Sequence, residues 1–99
     1  MSSGVSRVQV RSFYGTGADM NVRTFDFRPK RIEVFNISGL CKADWVEGMA
    51  DDSAVKTVTA GTMSLITTNG ITPLSNGFSL GADSDLNVSG ELCRAVAYE

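Results

Sequence analysis

The sequence predicts an all-β domain: a small antiparallel β-sandwich, jelly-roll-like or immunoglobulin-like, with little or no helix. Three observations carry this. Turn signals recur at short intervals, at Gly15-Thr-Gly17, Arg28-Pro29-Lys30, Ser38-Gly39, Glu47-Gly48, Ala60-Gly61, Asn69-Gly70, Asn76-Gly77 and Ser89-Gly90. Between them lie short runs rich in β-branched and aromatic residues, alternating with period two. No segment sustains an apolar period of 3.6 residues. Alternating strands with one apolar face must cover one another, which predicts two packed antiparallel sheets.

The elements follow in order. Residues 1–4 read as a flexible arm, and 5–99 as one β-sandwich domain. Residues 5–14 place Val8 and Val10 on one face, and 21–27 place Phe25 and Phe27 together. Residues 31–37 are apolar on both sides, Ile32 and Val34 on one and Phe35 and Ile37 on the other. Such a strand is central or covered by a partner, which makes Phe35 and Ile37 candidate partner-facing residues. Residues 43–47 carry Trp45. Residues 51–56 read as a loop leading into a strand. Residues 62–67 align Met63 with Leu65, Phe78 alternates with Leu80 around Ser79, and 92–98 set Leu92 and Val96 opposite Cys93, Ala95 and Ala97. Pro29 and Pro73 fall at strand boundaries, where a missing N–H matters least.

Ninety-nine residues, 42% hydrophobic and 20% charged, suit one folded domain. A chain this short buries only about 60–70% of the surface its unfolded form exposes, so a partner surface adds much to its stability. A net charge of −2 argues against nucleic-acid binding through phosphates. Arg23, Arg28, Lys30 and Arg31 read as charges that keep a strand end soluble. No apolar run reaches the roughly 18–20 residues of a membrane span, and the opening residues lack the apolar core of a signal peptide. The expectation is a protein made in a cytoplasm that stays soluble, with no membrane and no nucleic acid among its partners. The sequons Asn36-Ile-Ser38 and Asn87-Val-Ser89 then read as chance.

The chemistry-bearing residues point away from catalysis. There is no histidine, which removes the commonest general base and most zinc sites. No glycine-rich phosphate loop occurs. The expectation is a protein that is not an enzyme and holds no cofactor or metal. Asp83-Ser-Asp85-Leu-Asn87 matches the opening of a calcium loop, but Val88 stands where that loop needs glycine and Arg94 where it needs glutamate. A turn using Asp and Asn side chains explains the stretch better. Cys41 and Cys93 have three readings: reduced core residues, an intrachain pair, or an inter-subunit contact or disulfide. Trp45, Tyr14 and Tyr98 can line a sugar-binding surface; the favoured reading puts Trp45 in the core.

From Phe27 onward the order of motifs resembles that of small virion proteins of tailed bacteriophages. Phe27-Arg-Pro-Lys-Arg-Ile-Glu-Val-Phe-Asn36 resembles a strand–turn–strand element of these proteins, and Trp45-Val-Glu-Gly-Met49 the next strand. Gly70-Ile-Thr-Pro73, Asn76-Gly-Phe-Ser-Leu-Gly81, Asp83-Ser-Asp-Leu-Asn87, Gly90-Glu91 and a closing aliphatic–aromatic strand follow. Similar endings occur in capsid decoration (cement) proteins and in β-domains of phage fibres. The resemblance implies a structural part of the virion that decorates and stabilises the capsid surface. It implies the major capsid protein lattice as partner and a homo-oligomer, dimer or trimer. The alternative it implies is a receptor- or glycan-binding β-module of a tail or head fibre.

Overall fold

The computed structural model describes residues 7–99. Its strands are β1 (Val8–Tyr14), β2 (Met20–Val22), β3 (Arg31–Asn36), β4 (Cys41–Val46), β5 (Ser53–Thr57), β6 (Met63–Leu74), β7 (Gly77–Leu80) and β8 (Leu92–Tyr98). No helix occurs among the described residues. The predicted arm at 1–4 and the start of the first predicted strand lie outside them.

Among the described residues every pairing between these strands is antiparallel, in the order β1-β8-β3-β4-β5-β6-β7-β2. The all-β antiparallel prediction therefore holds, with one difference: the strands form a single curled sheet that nearly closes into a barrel, not two separately bonded sheets. The twelve-residue β6 is the reason. Its first part pairs with β5 and its second with β7, so the ladder turns the corner without breaking. The edges are bridged by side chains. Gln9 Nε2 donates to Asp26 Oδ2 (2.8 Å), the Asp26 amide donates to Gln9 Oε1 (3.0 Å), and Arg11 Nε donates to the Thr24 carbonyl (2.9 Å).

The corner in β6 lies where the sequence predicts a turn. Ala54 faces Ile66 but Ser53 faces Ile71, so residues 67–70 bulge out of register. Asn69 adopts a left-handed φ of 56°. Gly70 lets the backbones touch, because a Cβ there would lie 2.6 Å from the Asp52 carbonyl oxygen. The turn chemistry is present, but it makes a bulge inside a strand. The predicted strand at 21–27 is likewise shorter. After Val22 the chain leaves the ladder, yet Phe25 and Phe27 remain buried together. The loop-to-strand reading of 51–56 resolves into β5, beginning at Ser53.

Alternation decides the core. Ile32, Val34 and Asn36 of β3 point inward, as do Cys41, Ala43 and Trp45 of β4 and Cys93, Ala95 and Ala97 of β8. Small alanines leave room for Trp45 and Phe78, the small/large mixture that fills a narrow barrel. Trp45 is buried, and its indole N–H donates to the Ala50 carbonyl (3.2 Å).

Candidate functional site

The outer face of the sheet carries the candidate site, and the strand register builds it. Phe35 of β3 sits opposite Lys42 of β4 on one side and Arg94 of β8 on the other. Lys42 faces Thr57 of β5, and Thr57 faces Met63 of β6. The neighbouring row runs Val10, Val96, Glu33, Asp44, Val55, Leu65. Tyr14 lies opposite Leu92, whose carbonyl accepts from the Ile37 amide (3.0 Å). The exposed large hydrophobics are Val8, Val10, Tyr14, Ile37, Leu40, Val46, Met63 and Leu65. Seven stand on the outer side of β1, β3 with its extension, β4 and the first part of β6, and Leu40 lies in the adjoining turn. The outward positions of β2 and β7 are Asn21 and Ser79.

Between the β3–β4 turn and the β5–β6 turn lies a groove of about 310 Å³. Phe35, Ile37, Leu40, Cys41, Lys42 and Val58 are among its lining residues. The Thr59 hydroxyl ties the two turns together by donating to the Gly39 carbonyl (2.9 Å). Leu40 breaks two local rules at once. It is 71% exposed and holds a left-handed φ of 58°, a conformation that is an outlier for a bulky side chain and costs on the order of 1–3 kcal/mol. Strain of this kind concentrates at binding sites.

The candidate residues divide. Phe35 and Ile37 lie together on the outer face, as alternation predicts, and both line the groove. Cys41 and Cys93 are both free thiols and both buried. Each faces Asn36 across one strand pairing, so β3 lies between them. Strands two positions apart are roughly 9–10 Å apart, beyond the reach of a disulfide, which rules out the intrachain pair. Cys41 meets the groove, and its thiol donates to the Gly39 carbonyl (3.4 Å). Cys93 is fully enclosed; burial, with the charge of Glu91, pushes its thiol pKa up to about 11.

Asp83, Asp85 and Asn87 do not converge on one point. The two carboxylates hold the Lys56 ammonium, at 2.9 and 3.0 Å to Asp83 and 2.6 Å to Asp85. Burial pulls the Lys56 pKa down, but hydrogen bonds to Asp85 and Asp83 outweigh it and hold the group above the ordinary lysine value. Asn87 turns the other way. It accepts from the amides of Thr16 and Gly17 and donates to the carbonyls of Ala18 and Gly81. Asn36 is equally occupied, donating to the Asp85 carbonyl and to Glu91 Oε1 and accepting from the Gly39 amide. Both sequon asparagines are thus structural. Of the three aromatics weighed for sugar binding, Trp45 is in the core, Tyr98 lies beneath the Arg31 guanidinium (5.2 Å), and Tyr14 is exposed.

Sequence reasoning placed Met63 and Leu65 on a common face but not on the outside, and it missed Leu40. Its signal was an apolar residue inside the turn Ser38-Gly39-Leu40. The arrangement defines a class: a small antiparallel barrel-like domain whose outer wall bears exposed apolar side chains interleaved with charges, and a groove. No family model matches the sequence, and comparison with curated proteins and with solved structures found no match either.

Proposed function

We propose that this chain is a structural virion protein that decorates and stabilises the outer surface of a tailed-phage capsid, docking through the outer face of β1, β8, β3 and β4. The observation that carries the docking is the collection of exposed hydrophobics on one wall, with a strained Leu40 at the rim of a groove. Exposed apolar side chains gathered on one wall, with charges among them, are the make-up expected of a protein-docking surface. The capsid itself enters from the motif order between Phe27 and the closing strand. The partner is then the major capsid protein lattice, the location is the capsid surface after synthesis in the host cytoplasm, and a dimer or trimer suits lattice symmetry. Such a protein acts by linkage: it binds the intact lattice better than the broken one and shifts the equilibrium toward the intact head.

The test is direct. Heads made without this protein assemble but fail earlier under heat, purified protein restores them, and densitometry of virions counts hundreds of copies. A few copies per particle, with unchanged head robustness and reduced adsorption to the host, would mark a receptor- or glycan-binding fibre module instead. The exposed Tyr14 favours that second reading.

A further inference from the structure

The charges on the docking face indicate what it receives. The outward positions of β1, β8, β3, β4 and β5 and the Met63–Leu65 stretch of β6 carry five ionisable charges: Arg31, Lys42 and Arg94 against Glu33 and Asp44. This wall is net positive in a chain of net charge −2. Its carboxylates are committed, Glu33 to Arg31 at 2.6 Å and Asp44 to Lys42 at 3.6 Å. Arg94 makes no ion pair among the described residues, and the Lys42 contact is loose. These two cations stand on either side of Phe35 in one cross-strand row, Lys42 lining the groove with Phe35 and Arg94 on the side of Phe35 away from it.

We infer that the face docks a protein surface presenting an apolar side chain flanked by carboxylates; this rests on the docking reading above. The apolar side chain enters between Phe35, Ile37, Leu40 and Val58. The carboxylates meet Arg94, whose planar fork suits bidentate pairing, and Lys42, which acts as a point charge. Apolar burial supplies the affinity and the two cations select the partner. A second copy of this chain fits the same spot poorly. A twofold axis through Phe35 sets Arg94 of one copy over Lys42 of the other, cation against cation, which disfavours that pairing.

The test uses the full chain and three synthetic peptides of equal length, with leucine at alternate positions and the intervening positions all Glu, all Ser or all Lys. Binding is read from backbone amide NMR shifts. The Glu peptide is expected to bind about tenfold more tightly than the Lys peptide, a ratio in line with two partly exposed ion pairs gained against two repulsions. Its shifts should centre on Phe35, Ile37, Lys42 and Arg94. The double variant R94E/K42E, changed only at exposed positions, should keep the wild-type fold by its amide spectrum and reverse the order of the peptides. Equal affinity for all three, shifts centred elsewhere, or no binding of the Glu peptide would overturn the inference. The capsid-docking reading would then still stand or fall on head stability alone.

Discussion

Two regions of this molecule invert the usual placement of polar and apolar groups. The loop from Gly81 to Glu91 takes polar side chains inside: Asn87 is buried with four hydrogen bonds, Asn36 reaches in from β3, and Lys56 is caught between two carboxylates. Among the described residues no buried side-chain polar atom is left without a partner. The outer wall of β1, β3 and the β5–β6 hairpin does the opposite, setting Leu40, Met63 and Leu65 in water. The difference separates two jobs. The loop closes the barrel and is part of the fold's stability, whereas the wall is available to something else.

Substitutions can break or sharpen this contrast. The largest effect belongs to Trp45, on the inner side of the wall, whose outward neighbours carry the face. Trp45→Ala should cost about 3–5 kcal/mol in urea unfolding, and a loss under about 1 kcal/mol would mean the inner side is not the core. Asn87→Ala should cost about 2–3 kcal/mol, because it strands buried donors and acceptors on two loops. If its unfolding midpoint matches wild type, the loop does not close the barrel.

Lys56→Met should cost about 2 kcal/mol, less than a fully buried pair because Asp85 is 42% exposed. The pH dependence has a definite sign. The folded pKa of Lys56 is raised above 10.5, so its contribution is complete below that value and disappears as pH rises through the higher folded value. Unfolding midpoints of wild type and variant should therefore converge in strong alkali; a constant gap would assign the stabilisation to packing.

Thiol labelling at about pH 8 reads the same loop kinetically. Cys93 is fully enclosed with a pKa near 11, so Cys41 should be alkylated first and Cys93 only on unfolding. Equal rates would show that the loop opens freely. The smallest stability effects belong to the outer wall. Met63→Ser should change stability by no more than about 0.5 kcal/mol. Leu40→Asn should hold or slightly raise it, since asparagine tolerates the left-handed backbone. Either one losing several kcal/mol would make the wall part of the core.

Period-two alternation told which side chains share a face. It separated Ile32 and Val34 from the partner-facing Phe35 and Ile37, and with Trp45 in the core it fixed the inner face of β4. For β8 it grouped Cys93, Ala95 and Ala97 against Leu92 and Val96 without saying which group goes inside. Nor could it say which face of β1 or of Met63–Leu65 is buried, since a strand with modest residues on both sides reads the same either way up. Asn69-Gly70 announced a change of direction but not whether the chain would reverse or bulge. That depended on the backbones of Asp52 and Ser53, distant in sequence. The pairing of Lys56 with Asp83 and Asp85 was equally hidden, since a lone lysine in a strand carries no sign of a loop almost thirty residues away. The outward placement of Phe35 and Ile37 was legible because a strand apolar on both sides must turn one side away from the core. Leu40 was not, because its strain exists only in three dimensions.

The strands β1 and β8, first and last in chain order among those described, lie side by side, and β8 also pairs with β3. During synthesis β3 can zip to β4 as soon as both have emerged, but β1 must wait for nearly the whole chain. Closing such distant contacts is slow, so refolding should fall in the millisecond-to-second range of non-local β proteins. Until β8 arrives, β1 and β3 both present open edges to other nascent chains. A truncation that removes β8 would make that interval permanent, and its expected product is aggregate rather than a smaller barrel.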